Sequence, residues 1–153
     1  MRKLLAEKSK CSGCKICEAV CSYQKLGDRF NNKKAAIRVV IAGELGERIS
    51  PIICRHCRKP KCADACPQGA FFKDEKTEAL IIDGNKCIGC GLCAEECPFG
   101  AINIHEEFTV PIKCDLCSGN PACVQYCVPG AITFEAQHRI GASKREKEVS
   151  TND

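Results

Sequence analysis

Sixteen cysteines stand in a chain of 153 residues, and no other residue type is spaced so regularly. They form four sets of four with none left over: Cys11, Cys14, Cys17 and Cys21; Cys54, Cys57, Cys62 and Cys66; Cys87, Cys90, Cys93 and Cys97; Cys114, Cys117, Cys123 and Cys127. Groups one and three read C-x2-C-x2-C-x3-C, and groups two and four lengthen the middle gap to four and five residues. Thiolates in such runs are either metal ligands or halves of disulfides. Disulfide frameworks belong to oxidising compartments. The opening MRKLLAEKSK carries no apolar run long enough for a leader and no twin-Arg pair. The chain therefore reads as cytoplasmic unless a partner exports it, and metal ligation is favoured.

The four groups are an internal repeat that extends past the cysteines. CPQGAF (66–71), CPFGAI (97–102) and CVPGAI (127–132) each end in Gly-Ala and an apolar residue, whereas group one runs on as CSYQKLG (21–27). Three thiolates from one tight loop converge on a single iron–sulfur cube, and Gly13, Gly89 and Gly91 suit such a loop because glycine accepts dihedrals other residues resist. The fourth Cys lies about one helical turn further on. In bacterial C-x2-C-x2-C-x3-C-P runs it ligates the other cluster of a pair, so the groups are expected to work in crossed pairs. Structural zinc favours separate C-x2-C pairs or Cys/His mixtures and fits this pattern poorly, although a zinc-binding scaffold module remains the alternative of a different class.

The elements that must position these loops follow from the intervening segments. Between groups two and three, AFFKD (70–74) and ALIID (79–83) read as strands, with a turn at Gly84. That makes residues 50–105 look like one two-cluster ferredoxin unit. Crossed pairing gives it one cluster on Cys54, Cys57, Cys62 and Cys97 and another on Cys87, Cys90, Cys93 and Cys66. Groups one and four are left for an outer unit, residues 1–49 plus 106–135. Its clusters fall on Cys11, Cys14, Cys17 and Cys127, and on Cys114, Cys117, Cys123 and Cys21. Sequential pairing of one with two and three with four is the arrangement that spacing leaves open. AAIRVVI (35–41) and ERISPII (47–53) read as an inserted β-hairpin between groups one and two, a scaffold flap rather than a docking edge. The fold class expected is α+β: two bacterial-ferredoxin-like two-cluster units related by an internal repeat. Residues 136–153 form a polar tail.

The stretches CSGCKICEAVCS (11–22), ICRHCRKPKCADACPQGAF (53–71), CIGCGLCAEECPFGAI (87–102) and IKCDLCSGNPACVQYCVPGAI (112–132) resemble the four-cluster iron–sulfur subunits of molybdenum- and tungsten-pterin oxidoreductases, the dimethyl-sulfoxide reductase and formate dehydrogenase type. They also resemble the small ferredoxin-like subunits of carbon monoxide dehydrogenase and hydrogenase systems. The likeness covers about residues 9–135 of the sequence. It implies four [4Fe–4S] clusters, outer groups paired with outer and inner with inner. It implies an electron-transfer subunit beside a catalytic, pterin-containing chain, best matched by a tungsten or molybdenum aldehyde oxidoreductase. An FAD-containing subunit or a ferredoxin would be the redox partner. A free polyferredoxin is the competing reading, and head-to-tail self-association of the chain would follow from exposed terminal clusters.

Composition excludes other classes. The formal charge of +4 counts thiols as neutral. Four clusters at about −2 each with their thiolates would take the loaded chain to roughly −4, so the basic balance offers no nucleic-acid footprint. No apolar run approaches a membrane span. There is no nucleophile–base pair, phosphate loop or GxGxxG, so the chain is not expected to be catalytic alone. Eight aromatics and no Trp make a thin core that needs stapling. Arg55, His56, Arg58, Lys59 and Lys61 make the most basic stretch, a solvated loop or a docking patch for an acidic ferredoxin. His56, His105 and His138 are not needed as ligands, since no group lacks a cysteine. Asp115 is expected to cap a short helix. Ile16, Ile88 and Leu92, lying among the ligands, are expected to shield the clusters from water.

Overall fold

The computed structural model describes residues 2–136. The tail, apart from Ala136, and His138 lie outside the described residues. Eight short strands pair as four separate two-stranded antiparallel ribbons, with four helices between them. This is a small mixed arrangement of helices and strands, in line with the α+β expectation.

Strand β1 (Arg2–Ala6) pairs with β8 (Ile132–Ala136), which brings the two ends of the cysteine-bearing region together. Leu4 opposes Phe134 and Ala6 opposes Ile132, so the inward face of this ribbon is apolar. β2 (Arg38–Ala42) and β3 (Arg48–Ile52) form a hairpin between cysteine groups one and two. β4 (Phe71–Lys73) pairs with β5 (Leu80–Ile82) between groups two and three. Their reversal is made by residues 74–79, where the Asp74 carboxylate accepts from the Thr77 N–H and hydroxyl at 2.8 and 2.6 Å. Gly84 lies after β5, in the turn that delivers Cys87, and not between the strands. β6 (Ile102–Asn103) pairs with β7 (Ile112–Lys113) between groups three and four.

Helix α1 (Ile16–Leu26) is the only one longer than a single turn among the described residues. It carries Cys17 and Cys21 on one buried face and stops at Gly27, whose N–H bonds to the Tyr23 carbonyl at 2.7 Å. α2 (Lys61–Asp64), α3 (Leu92–Glu95) and α4 (Ala122–Gln125) are single turns that each hold the third Cys of their group. Pro60 and Pro121 precede α2 and α4, where a fixed φ suits helix entry. Pro67 and Pro98, directly after the fourth cysteines, cannot continue a helix. Helix α1 packs on α4, and α2 on α3.

The core is built from Leu4, Ile37, Val39, Ile53, Ile112, Leu116, Ile132, small alanines and the thiols Cys17, Cys21 and Cys123. No aromatic is fully buried in it; Phe134 packs at its edge. Polar ties hold the segments in place. The buried Glu18 carboxylate accepts from the Val39 N–H at 2.6 Å, joining α1 to the hairpin. The Asn103 amide donates to the Ala35 carbonyl at 2.7 Å, joining the β6 segment to the chain after α1. Fixed interior polar contacts of this kind set geometry more than they add stability.

Candidate functional site

All sixteen cysteines are free thiols in the structure. In every group the residue just before the second Cys has a left-handed backbone: Gly13 (φ +73°), His56 (φ +43°), Gly89 (φ +72°) and Leu116 (φ +60°). This shared kink is what bends C-x2-C into a loop whose thiols point the same way. Glycine takes it without strain in groups one and three, whereas His56 and Leu116 take it at a cost of about 1–3 kcal/mol each. A side chain at Gly89 would put a Cβ 2.8 Å from the Thr109 carbonyl oxygen.

Two cavities lie where thiols gather. One, with room for about 20 Å³, is lined by Cys114, Cys117, Cys123 and Cys21, with Cys54 also on its wall. The other, of the same size, is lined by Cys87, Cys90, Cys93 and Cys66. Each unites three thiols of one group with the fourth Cys of another. Burial raises the Cys93 thiol, and Cys87, Cys90 and Cys66 add to the rise. Burial likewise raises Cys123, with Cys114, Cys21 and Cys117 nearby and Cys17 further along. In the remaining groups the thiols also lie within electrostatic reach of one another. Cys62 is pushed up to about 11 by burial, opposed by Lys113 and reinforced by Cys54 and Cys97. Cys17 is pushed up to about 12 by burial and Glu18, with Cys14 and Cys11 contributing. Cys127 lies half-buried at the rim of the core, while Cys57 is half-buried in its own loop. Burial pushes Cys114 up to about 12, and Cys54 is the next contributor.

Thiols shifted this far stay protonated at neutral pH, and their thiolates would be costly with no cation beside them. A metal-containing group supplies that positive charge and displaces the protons. Among the described residues no three His, Cys, Asp or Glu side chains close around a point that suits a single metal ion. Backbone donors also reach the sulfurs. The N–H groups of Ala70 and Ala101 lie 3.4 Å from Cys66 Sγ and Cys97 Sγ, and the Ala36 N–H lies 3.3 Å from Cys21 Sγ. The Gly-Ala of the repeated tail thus has a local role: positive φ at Gly69 and Gly100 turns the next N–H back onto the fourth sulfur.

Exposure differs between groups. Cys14 and Cys90 are the exposed thiols, one each in groups one and three. Ile16 and Ile88 beside them are 40% and 59% exposed, and Leu92 is 41% exposed. Ile88 nonetheless lines the cavity of Cys87, Cys90, Cys93 and Cys66, so one side of it covers those thiols while the rest faces outward. Arg55, Arg58, Lys59 and Lys61 are exposed, and the Arg55 guanidinium sits 4.3 Å from the Phe99 ring centre.

Asp115 accepts from the Cys117 N–H at 3.0 Å and so caps the 3-10 turn at 116–119, as its position suggested. It also pairs with Lys25 at 3.1 Å on the wall of the first thiol cavity. Burial works against both charges, yet the pair prevails: Asp115 sits below the ordinary carboxylate range and Lys25 above its own. Sequence reasoning passed over Lys25 and Lys113 and set His56 aside as part of a basic stretch and an unneeded ligand. Lys113 and His56 are 6% and 3% exposed. Aligning the four groups on their second Cys would have marked His56, since it stands where two of the others have glycine.

The 4Fe-4S dicluster domain family matches residues 47–137. The NADH-dependent phenylglyoxylate dehydrogenase subunit beta of Aromatoleum evansii is 37% identical over 81% of this chain and 28% of its own length. This chain thus spans under a third of that relative. The polyferredoxin-like subunit of aliphatic sulfonate oxidoreductase from Pyrococcus furiosus is 39% identical over 81% of this chain and 70% of its own. The fold is shared with a chain of the active site complex BamBC of benzoyl coenzyme A reductase with benzoyl-CoA. There the TM-score is 0.53 and identity 24%, over 94% of this chain and 88% of that one. Among the described residues no helix is long and apolar enough to cross a membrane.

Proposed function

We propose, for a chain that belongs to the 4Fe-4S dicluster domain family, that it is an electron-transfer subunit of an oxidoreductase complex holding four [4Fe–4S] clusters. The observation that carries the reading is the crossed composition of the two thiol cavities, three cysteines from one group and one from another. Extending that rule assigns Cys11, Cys14, Cys17 and Cys127 to a first cluster and Cys114, Cys117, Cys123 and Cys21 to a second. Cys54, Cys57, Cys62 and Cys97 take a third, and Cys87, Cys90, Cys93 and Cys66 a fourth. The pairing of α1 with α4 and of α2 with α3 supports an outer unit (1–49 plus 106–135) and an inner unit (50–105). Sequential pairing finds no comparable support in the described residues.

Bound in these loops, a cluster supplies one-electron exchange with little movement of the protein. An order of first, second, third and fourth site is supported by Cys54 standing on the wall of the cavity that gathers the second site's thiols, and by the packing of α1 on α4 and of α2 on α3. Exposed Cys14 and Cys90 fall in the first and last, where a partner has access.

The catalytic partner is another chain. The resemblance of the motifs favours a pterin-containing tungsten or molybdenum aldehyde oxidoreductase, with an acidic ferredoxin or an FAD-containing subunit on the other side. Anaerobically purified protein should contain about 16 iron and 16 sulfide per chain, as four [4Fe–4S] clusters require. Zinc without sulfide would overturn the cluster reading. A nickel enzyme as the co-purifying large subunit would overturn the choice of partner alone.

A further inference from the structure

Where the inner and outer units meet, two buried polar side chains grip the backbone of one residue. The Leu80 N–H donates to His56 Nδ1 at 3.0 Å, and Lys113 Nζ donates to the Leu80 carbonyl oxygen. Because His56 Nδ1 is an acceptor, the proton of the neutral ring is on Nε2. His56 Nε2 is buried and has no hydrogen-bond partner in the protein. Such a donor is costly to leave unmade, on the order of 1–3 kcal/mol. The ring also sits on a left-handed backbone that two of the other groups give to glycine, and strain of this kind gathers at functional positions. Lys113 is in a similar state. Its other near acceptor is the Cys114 carbonyl oxygen at 3.5 Å, and among the described residues no carboxylate forms an ion pair with it. A buried ammonium held by carbonyl dipoles alone lacks a counter-ion.

We propose that Lys113 and His56 are positioning residues for the third cluster, Cys54, Cys57, Cys62 and Cys97. Lys113 is its fixed counter-charge and His56 Nε2–H its hydrogen-bond donor, and together they raise its reduction potential above what the loop alone would set. This rests on the ligand assignment proposed above. His56 lies between two of those cysteines in the sequence. Lys113 is tied to His56 through Leu80, whose carbonyl takes the ammonium and whose N–H bonds to the ring, so both buried groups stand at the loop that carries Cys54 and Cys57. Uptake of one electron, from a neighbouring centre that is oxidised by one, takes the cluster and its thiolates from about −2 to about −3. A positive charge and a donor already in place stabilise the more negative state, so no proton transfer is required. The result is an electron-holding site at the middle of the relay, behind both exposed ends.

The test is an anaerobic redox titration followed by electron paramagnetic resonance on the full chain. It compares the wild type with Lys113→Gln, which keeps a donor for Leu80 but not the charge, and Lys113→Arg, which keeps both. Lys113→Gln should shift one of four centres about tenfold toward the oxidised form, a fall of about 59 mV for one electron, and Lys113→Arg should return it. His56→Asn retains an acceptor for the Leu80 N–H, tolerates the left-handed backbone and removes the Nε2 donor. It should lower the same centre by a smaller amount, and it decides the matter if Lys113→Gln does not keep its iron. Four unchanged potentials in cluster-replete variants overturn the inference while leaving the ligand assignment intact. Wild-type protein with fewer than four titrating centres overturns the assignment instead, and the inference with it.

Discussion

Groups one and three differ from groups two and four in the length of the middle gap and in the residue before the second cysteine, and the second difference decides what lies beside the thiols. In groups one and three that residue is glycine, the loop is thin, and the second thiol is exposed. In groups two and four it is His56 and Leu116, which are 3% and 0% exposed and stand at the junction of the two halves. The same backbone kink is thus made twice without a side chain and twice with one. Where glycine makes it, a cluster can be approached from outside. Where His56 or Leu116 makes it, the side chain becomes part of the core and the thiols withdraw. On the ligand assignment proposed above, one repeated motif yields two surface ends and a buried middle.

The largest test of this contrast is Leu116→Ala. It should destabilise by about 2–5 kcal/mol, as buried leucine truncations do, seen as a lower anaerobic melting temperature. Gly89→Ala should cost about 1–3 kcal/mol through its left-handed backbone, with the Thr109 contact adding to it, and should release iron from one site before the rest. A Leu116→Ala melting curve no different from wild type would break the contrast.

Oxidant access should follow the same division. Ferricyanide should attack iron in two phases, the faster one belonging to the sites with Cys14 and Cys90. Single-phase release, or a fast phase unaffected by Cys90→Ser, would remove exposure as the distinction between ends and middle.

The Lys25–Asp115 pair gives a smaller, pH-dependent effect. The folded carboxyl titrates below its unfolded value, because Lys25 outweighs burial. The stability it adds is therefore complete above the ordinary aspartate range and is lost as pH falls through the lower folded value. Asp115→Asn should flatten that acid limb in melting experiments between about pH 5 and 2. The smallest effect belongs to Asp28→Asn, whose pair with Arg29 is at the surface; its melting temperature should match wild type.

The cysteine spacing and the repeated Gly-Ala tails fix local geometry, so four cysteine loops, each with its fourth Cys about one helical turn further on, were legible in the residues alone. Strand positions at 70–74 and 79–83 and the turn at Gly84 followed from the residues, whereas the reversal between the strands is closed by bonds from Thr77 to the Asp74 carboxylate that glycine counting does not register. Tertiary structure alone placed Cys21 in a cavity with Cys114, Cys117 and Cys123 and Cys66 in one with Cys87, Cys90 and Cys93, because residues as far apart as Cys21 and Cys123 meet only when elements such as α1 and α4 pack. It alone turned His56 and Lys113 inward. Their burial is set by contacts with Leu80, a residue of another segment, and no local pattern encodes a long-range contact.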